Sequence, residues 1–108
     1  MILVLKYKWF DMIASGEKKE EYRDYWKWAH TRQLKKFYDR LRKDESDNTI
    51  EFRRGYTKTA IKVRCIGIRY HLSGIVEKDC ECRFEWGFDP YKDLIVFRLG
   101  EIIERKRR

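Results

Sequence analysis

Long apolar runs are missing from this 108-residue chain. The first one, Met1 to Leu5, is cut off by Lys6. A membrane span needs roughly 18 or more such residues and a secretory leader's apolar segment about 7–15, so neither a membrane partner nor export is expected. Cysteine is scarce too: three residues, an odd and unspaced set, do not make a disulfide framework and point to a reducing cytoplasm. With only two histidines, His30 and His71, in unrelated contexts, no Ser-His-Asp arrangement can be argued. Cys80-x-Cys82 with His71 lacks the C-x-x-C spacing of zinc sites, so no metal or other cofactor is expected. Neither proline nor glycine falls anywhere between residues 24 and 43.

What is abundant is charge and large rings. Charged residues are 41% of the chain and aromatics 16%, within a hydrophobic fraction of 43% that excludes a wholly disordered chain. The rings can fill a core or offer faces on which a base stacks. The net charge of +8 is uneven: residues 24–43 carry +5 and the tail 105–108 carries +4, while the remainder is close to neutral. A localised positive excess suits a polyanion such as RNA or DNA, and equally a solvated basic helix and tail.

The apolar spacing outlines one α+β domain over 1–108. Ile2 to Leu5 reads as a buried strand, and Trp9, Met12 and Ile13 mark a short helix that Gly16 stops in the left-handed cap conformation. A second strand is expected over Lys18–Arg23. Asp24 caps a long basic helix through Lys43, inserted after that strand, with Trp26, His30, Leu34, Phe37 and Leu41 as its apolar stripe and a loop to residue 48. His30 on that stripe is expected to be a packed, hydrogen-bonded side chain. Alternating runs follow at Ile50/Phe52, at Ile61/Val63/Cys65 with a slip of phase past Gly67, and at Cys80/Cys82/Phe84/Trp86. Leu94–Leu99 closes the set. Five or six short strands with about two helices favour a barrel or a strongly curled sheet.

The segment Gly16-Glu17-Lys18-Lys19-Glu20-Glu21-Tyr22-Arg23 carries the most chemistry. Alternation on a strand puts Glu21 and Arg23 on one face and Tyr22, the expected core residue, on the other. A carboxylate between Lys18 and Arg23 stays ionised and fixes both cations. Such a trio is a preorganised reader of anions and base edges, an acid–base site, or the solvated edge of a sheet.

The octet matches the pattern G-x-K-x-x-E-x-R and resembles ASCH domains, whose fold is similar to the PUA-like β-barrel. The strand–helix–Ser-Gly opening, "FEWGF" at Phe84–Phe88 and the last strand ending in Leu-Gly resemble the small bacterial and phage-like branch. The resemblance implies a PUA-like curled barrel with a cleft beside the first helix, lined by Lys18, Glu21 and Arg23, that binds RNA or a nucleotide. Lys6, Lys27 and Trp28 are further candidate nucleic-acid contacts; a ring beside cations offers a base face next to a phosphate site. One branch of the family hydrolyses the acetyl amide of 4-acetylcytidine with a lysine and threonine spaced K-x-x-T. Lys18 matches that lysine and Glu21 replaces the threonine, so the alternative, an amidohydrolase with catalytic Lys18 and Glu21, needs Glu21 to activate a water. A third reading is an interaction module whose basic helix meets an acidic protein partner.

Overall fold

Leu3 and Leu5 alternate with Ile2 and Val4 at the start of the chain, and this alternation makes β1 (Ile2–Leu5) a half-buried strand rather than one buried on both faces. In the computed structural model, which describes residues 1–43, 48–72, 75–76 and 79–106, six strands and three helices follow in the order β1, α1 (Tyr7–Ala14), β2 (Glu20–Asp24), α2 (Tyr25–Trp28), α3 (Arg32–Arg42), β3 (Thr49–Arg54), β4 (Ala60–Leu72), β5 (Ile75–Val76) and β6 (Leu94–Lys106). The sheet order is β1-β3-β4-β6-β2, with the short β5 beside the end of β4. Among the described strands only the β1–β3 pair is parallel; the sheet is mixed and the domain α+β.

In a flat sheet, β1 and β2 at the two ends of this order would lie roughly 19 Å apart, four spacings of about 4.8 Å. Instead the Arg23 guanidinium on β2 donates to the Val4 carbonyl of β1 at 3.1 Å. The sheet is therefore so strongly curled that one side chain spans the gap between its ends. Bulges promote that curl. The β4–β6 register shifts between Lys62 and Gly67, where the inward set changes from Ile61, Val63 and Cys65 to Ile68, and Ile66 turns outward. A slip of phase was expected past Gly67, with Ile66 joining Ile68 and Tyr70; the irregularity lies before Gly67 instead, and Ile66 is exposed.

The hollow of the curl is filled by the inward sets. Phe52, Phe97, Ile50 and Ile95 come from the strands, Phe10 and Ile13 from α1, and Leu34 and Phe37 from α3. Gly16 does end α1 as expected, at φ +83° with its N–H on the Ile13 carbonyl.

Three elements differ from the sequence reading. The long helix expected over 24–43 is two helices. Asp24 accepts from the Lys27 N–H as the anticipated cap, but Thr31, in extended conformation, accepts from Leu34 N–H and starts a new helix. The apolar stripe holds within α3 as Leu34, Phe37 and Leu41, while Trp26, 67% exposed, and His30 face solvent instead of the core. The strand expected over Cys80–Trp86 is irregular backbone running into a 3₁₀ turn at Phe84–Trp86. Of its alternating residues only Trp86 is buried, and Phe84 is 69% exposed. Finally, Arg105 and Lys106 belong to β6, paired with Ile61 and Ala60, so the basic segment begins as sheet. Residues 107–108, and residues 44–47 of the expected loop, lie outside the described residues.

Candidate functional site

The connection between α1 and β2 is pinned on both sides. Lys18 N–H donates to the Met12 carbonyl at the end of the helix, at 2.9 Å, and the Lys19 carbonyl accepts from Leu99 N–H of β6, at 2.9 Å. Lys18 therefore precedes the strand, which starts at Glu20, and its side chain is aimed back along the face that Glu21 and Arg23 share. Lys18 Nζ lies 2.7 Å from Glu21 Oε1, and Arg23 Nε donates to Glu21 Oε2 at 3.0 Å. Arg23 holds its other end on the Val4 carbonyl, so the trio ties β2 to β1.

These charges are inside the protein. Lys18 is 3% exposed and Glu21 4% exposed. Two rings flank the ammonium, with centroids 5.0 Å away for Trp9 and 5.3 Å for Tyr22. Burial pushes the Lys18 pKa below the usual lysine value, and the attraction of Glu21 opposes that shift. An ammonium has three protons, and Glu21 is the only acceptor that Lys18 Nζ meets among the described residues. Two donors remain for a ligand.

The space in front of the trio is a cleft of about 390 Å³. Its lining includes all six residues expected from the sequence: Lys6, Lys18, Glu21, Arg23, Lys27 and Trp28. They arrive from four places: the β1–α1 junction, the turn before β2, β2 itself, and α2. Trp28 is half-buried with the Arg23 guanidinium 5.6 Å from its ring centroid, whereas Lys6 and Lys27 are exposed at the mouth. The aromatic walls are Trp9, Tyr22, Trp28 and Trp86. Gly87 lets one wall close in: at φ +93° it faces the Trp9 ring, and a Cβ there would lie 3.1 Å from Trp9 Cζ2.

Trp9, Trp86 and Gly87 were not anticipated as site residues, and Tyr22 was expected in the core. Tyr22 is half-buried, walls the cleft and donates its hydroxyl to Glu20 Oε1 at 2.8 Å. Burial and that carboxylate raise its pKa. Glu20 is the larger omission. It is buried, and its carboxylate accepts from the backbone N–H of Glu81 at 2.9 Å and of Cys82 at 2.8 Å. These bonds replace the ladder bonds of a strand, and Cys82 sits at φ +51°, which is why the 80–86 segment is not extended. The signal in the sequence was the period-2 alternation of Glu20 with Tyr22, which puts a carboxylate on an inward-facing position.

The remaining candidates are separated from the cleft. His71 is buried, its Nδ1 3.0 Å from the Lys92 carbonyl and its ring edge-on to Phe88. Burial raises the thiol pKa to about 11 for Cys65, about 12 for Cys80 and about 11 for Cys82, so all three are protonated thiols at neutral pH. Among the described residues no group of three or more His, Cys, Asp or Glu side chains is arranged to hold a metal ion. No described helix is long and apolar enough to cross a membrane.

In chemical terms the cleft presents cations at two depths, flat apolar walls, the Glu21 carboxylate with both oxygens engaged, and the Asp24 carboxylate with one oxygen on the Lys27 N–H. No family model, curated protein or solved structure matches this chain.

Proposed function

We propose that this chain binds RNA or a nucleotide in the cleft between β1, α1 and β2, and that its curled sheet is a PUA-like barrel of the ASCH type. The observation that carries the reading is the buried Lys18–Glu21–Arg23 trio facing a ring-walled hollow. Buried charges without a task are disfavoured, whereas donors fixed in advance lower the ordering cost of binding an anion or a base edge. Lys18 and Arg23 contact phosphate or base acceptors, Glu21 holds both in place, and Trp28 stacks on a base. Lys6 and Lys27 at the mouth supply sequence-independent attraction to phosphate. The spaced residues Gly16, Lys18, Glu21 and Arg23, as the resemblance to ASCH domains places them, support the same assignment. The free cysteines support a reducing, cytoplasmic setting.

The test is titration with nucleoside monophosphates and short single-stranded RNA at several salt concentrations. Binding at low salt, lost in Arg23→Ala and in Lys18→Met with folding intact by circular dichroism, is the expected result. Lys27→Ala lowers the salt slope by about 1. Absence of binding at low salt, or affinity unchanged in both variants, refutes the assignment.

One observation favours a second reading. An amine whose pKa is lowered by burial, in contact with a carboxylate, is an acid–base pair able to activate a water. That pair supports the amidohydrolase alternative, with Lys18 and Glu21 catalytic and an acetylated pyrimidine nucleoside as substrate. Incubation with 4-acetylcytidine and chromatography for cytidine decides it; no turnover alongside retained RNA binding rules it out.

A further inference from the structure

The cleft does not end at Trp28. A second hollow of about 510 Å³ runs along β1 to the turn after β3, where Gly55 and Tyr56 close it. The two hollows share Val4, Leu5, Lys6, Arg23 and Trp28, so they adjoin along β1 and together make one groove-like surface. Each is of the size, roughly 300–1,000 Å³, that a small organic ligand fills. Of the two hollows only the inner one has carboxylates in its lining, Glu21 and Asp24; both oxygens of Glu21 are held by the trio, and one oxygen of Asp24 accepts from the Lys27 N–H. The outer hollow carries the cations Lys6 and Arg23 and no carboxylate in its lining.

Tyr56 stands at the outer end with its side chain 100% exposed. A single exposed tyrosine is ordinary. Its setting is less so, because the turn that bears it is held firmly. Gly55 N–H donates to the Leu5 carbonyl of β1 at 2.8 Å, and Arg54 N–H donates to the Thr59 carbonyl at 3.0 Å. Thr57 Oγ1 donates to the Arg54 carbonyl at 2.6 Å. The backbone that carries the ring is thus held in place, on a hollow that Lys6, Arg23 and Trp28 also line.

We propose that this groove is a track for single-stranded nucleic acid of at least two nucleotides, in which Tyr56 is the stacking platform for the base outside the cleft. This rests on the nucleotide-binding reading of the cleft and names its ligand class as an oligonucleotide rather than a free nucleotide. Two rings and two cations lining one hollow suit the bases and phosphates of a single strand; a duplex keeps its bases stacked inside and offers no faces to such rings.

The experiment compares nucleoside monophosphates with labelled ribo- and deoxyribo-tetranucleotides on the wild-type chain and on Tyr56→Ala and Tyr56→Phe. Being fully exposed, Tyr56 is replaceable without disturbing the fold. The expected result is that tetranucleotides bind more tightly than monophosphates, that Tyr56→Ala weakens tetranucleotide binding about five- to hundredfold, and that Tyr56→Phe restores it. Monophosphate affinity stays unchanged in both variants. A weaker deoxyribo-tetranucleotide assigns the track to RNA, and equal affinity assigns it to either single strand. If tetranucleotides bind no better than monophosphates, or Tyr56→Ala loses nothing, the track is refuted while the cleft stands. If neither probe binds at low salt, the cleft reading fails and the track with it. Displacement of the tetranucleotide by polyglutamate as efficiently as by unlabelled tetranucleotide also refutes it, since charge alone would then account for attraction.

Discussion

Replacing Lys18 and Glu21 together, as Lys18→Met/Glu21→Leu, separates what the buried charges do for the fold from what they do for a ligand. At 2.7 Å the gross attraction between them is about 6 kcal/mol for an effective dielectric of about 20. Against it stands desolvation of two groups only 3% and 4% exposed, which costs several kcal/mol for each ion. The two contributions nearly cancel, but the double variant also takes the carboxylate from Arg23, which keeps only the Val4 carbonyl; it is therefore expected to lose no more than the roughly 1–3 kcal/mol of that charged hydrogen bond. Glu21→Leu alone behaves differently, because it strands a buried ammonium beside the Arg23 guanidinium; a loss of about 3–5 kcal/mol is expected. Lys18→Met alone leaves Glu21 paired to Arg23 at 2.9 Å and costs less, about 1–3 kcal/mol. Urea unfolding followed by tryptophan fluorescence reads these as shifts of midpoint at constant slope. Nucleotide titration of the same samples tests the proposed binding. A stable double variant that no longer binds identifies the trio as a binding device. If the double variant is as unstable as Glu21→Leu, the charges hold the fold together and the reasoning is wrong.

Glu20→Ala removes the acceptor of two backbone N–H groups and one hydroxyl; at about 1 kcal/mol each it should cost about 3 kcal/mol and lower Tm by roughly 10–15 °C in a thermal melt, with Glu20→Gln in between. Gly87→Ala, at φ +93° and with its new Cβ 3.1 Å from Trp9, should cost about 1–3 kcal/mol and shift the tryptophan emission as Trp9 moves. In alkali the thiols weaken the fold: the ordinary thiol pKa of 9.0 rises to about 11 at Cys65 and Cys82 and about 12 at Cys80, so the folded state keeps protons that the unfolded chain has shed. Their contribution is complete below pH 9 and is lost as pH climbs through 11 to 12, which a stability–pH series with Cys80→Ser as control should show.

The parts of the fold that were legible in the sequence are those where one periodicity runs uninterrupted through a buried face. Ile50/Phe52, Ile61/Val63/Cys65 and Leu94–Leu99 are strands because their apolar side chains fill the inside of the curl. The segments that misled are those where polar groups redirect the backbone. Cys80-x-Cys82-x-Phe84-x-Trp86 alternates as cleanly as any strand, yet the Glu20 carboxylate, sixty residues away in sequence, takes its N–H groups. No local pattern announces so distant a partner. Thr31, by contrast, was a local signal: a cap residue three positions before Leu34 divides the expected helix, but the stripe Trp26, His30, Leu34 crosses it at near-helical spacing and hides the boundary. Five of the six candidate residues that line the cleft were readable together because Lys18, Glu21 and Arg23 sit on one short turn-and-strand segment, with Lys27 and Trp28 immediately after it; Lys6 comes from the β1–α1 junction. Trp9, Trp86 and Gly87 come to the cleft through tertiary packing alone.

Glu20 and Glu21 are adjacent and both buried, yet their partners assign them different work. Those of Glu20 are largely backbone amides, which a ligand cannot displace without unfolding the segment that carries them. Those of Glu21 are side-chain tips with donors to spare: two protons on Lys18 Nζ, and the Nη1 group of Arg23, which meets no acceptor among the described residues. A phosphate or a base edge entering the cleft can therefore take up unused donors while every bond of the trio stays in place. Ordinary solution salt screens Lys6 and Lys27 at the mouth far more than the ion pair behind them, since screening acts on exposed charges and spares buried ones. On the proposed reading, attraction and recognition would therefore fall to separate layers. The exposed cations would set how fast and how salt-sensitively a strand arrives, and the buried trio which chemical groups can stay.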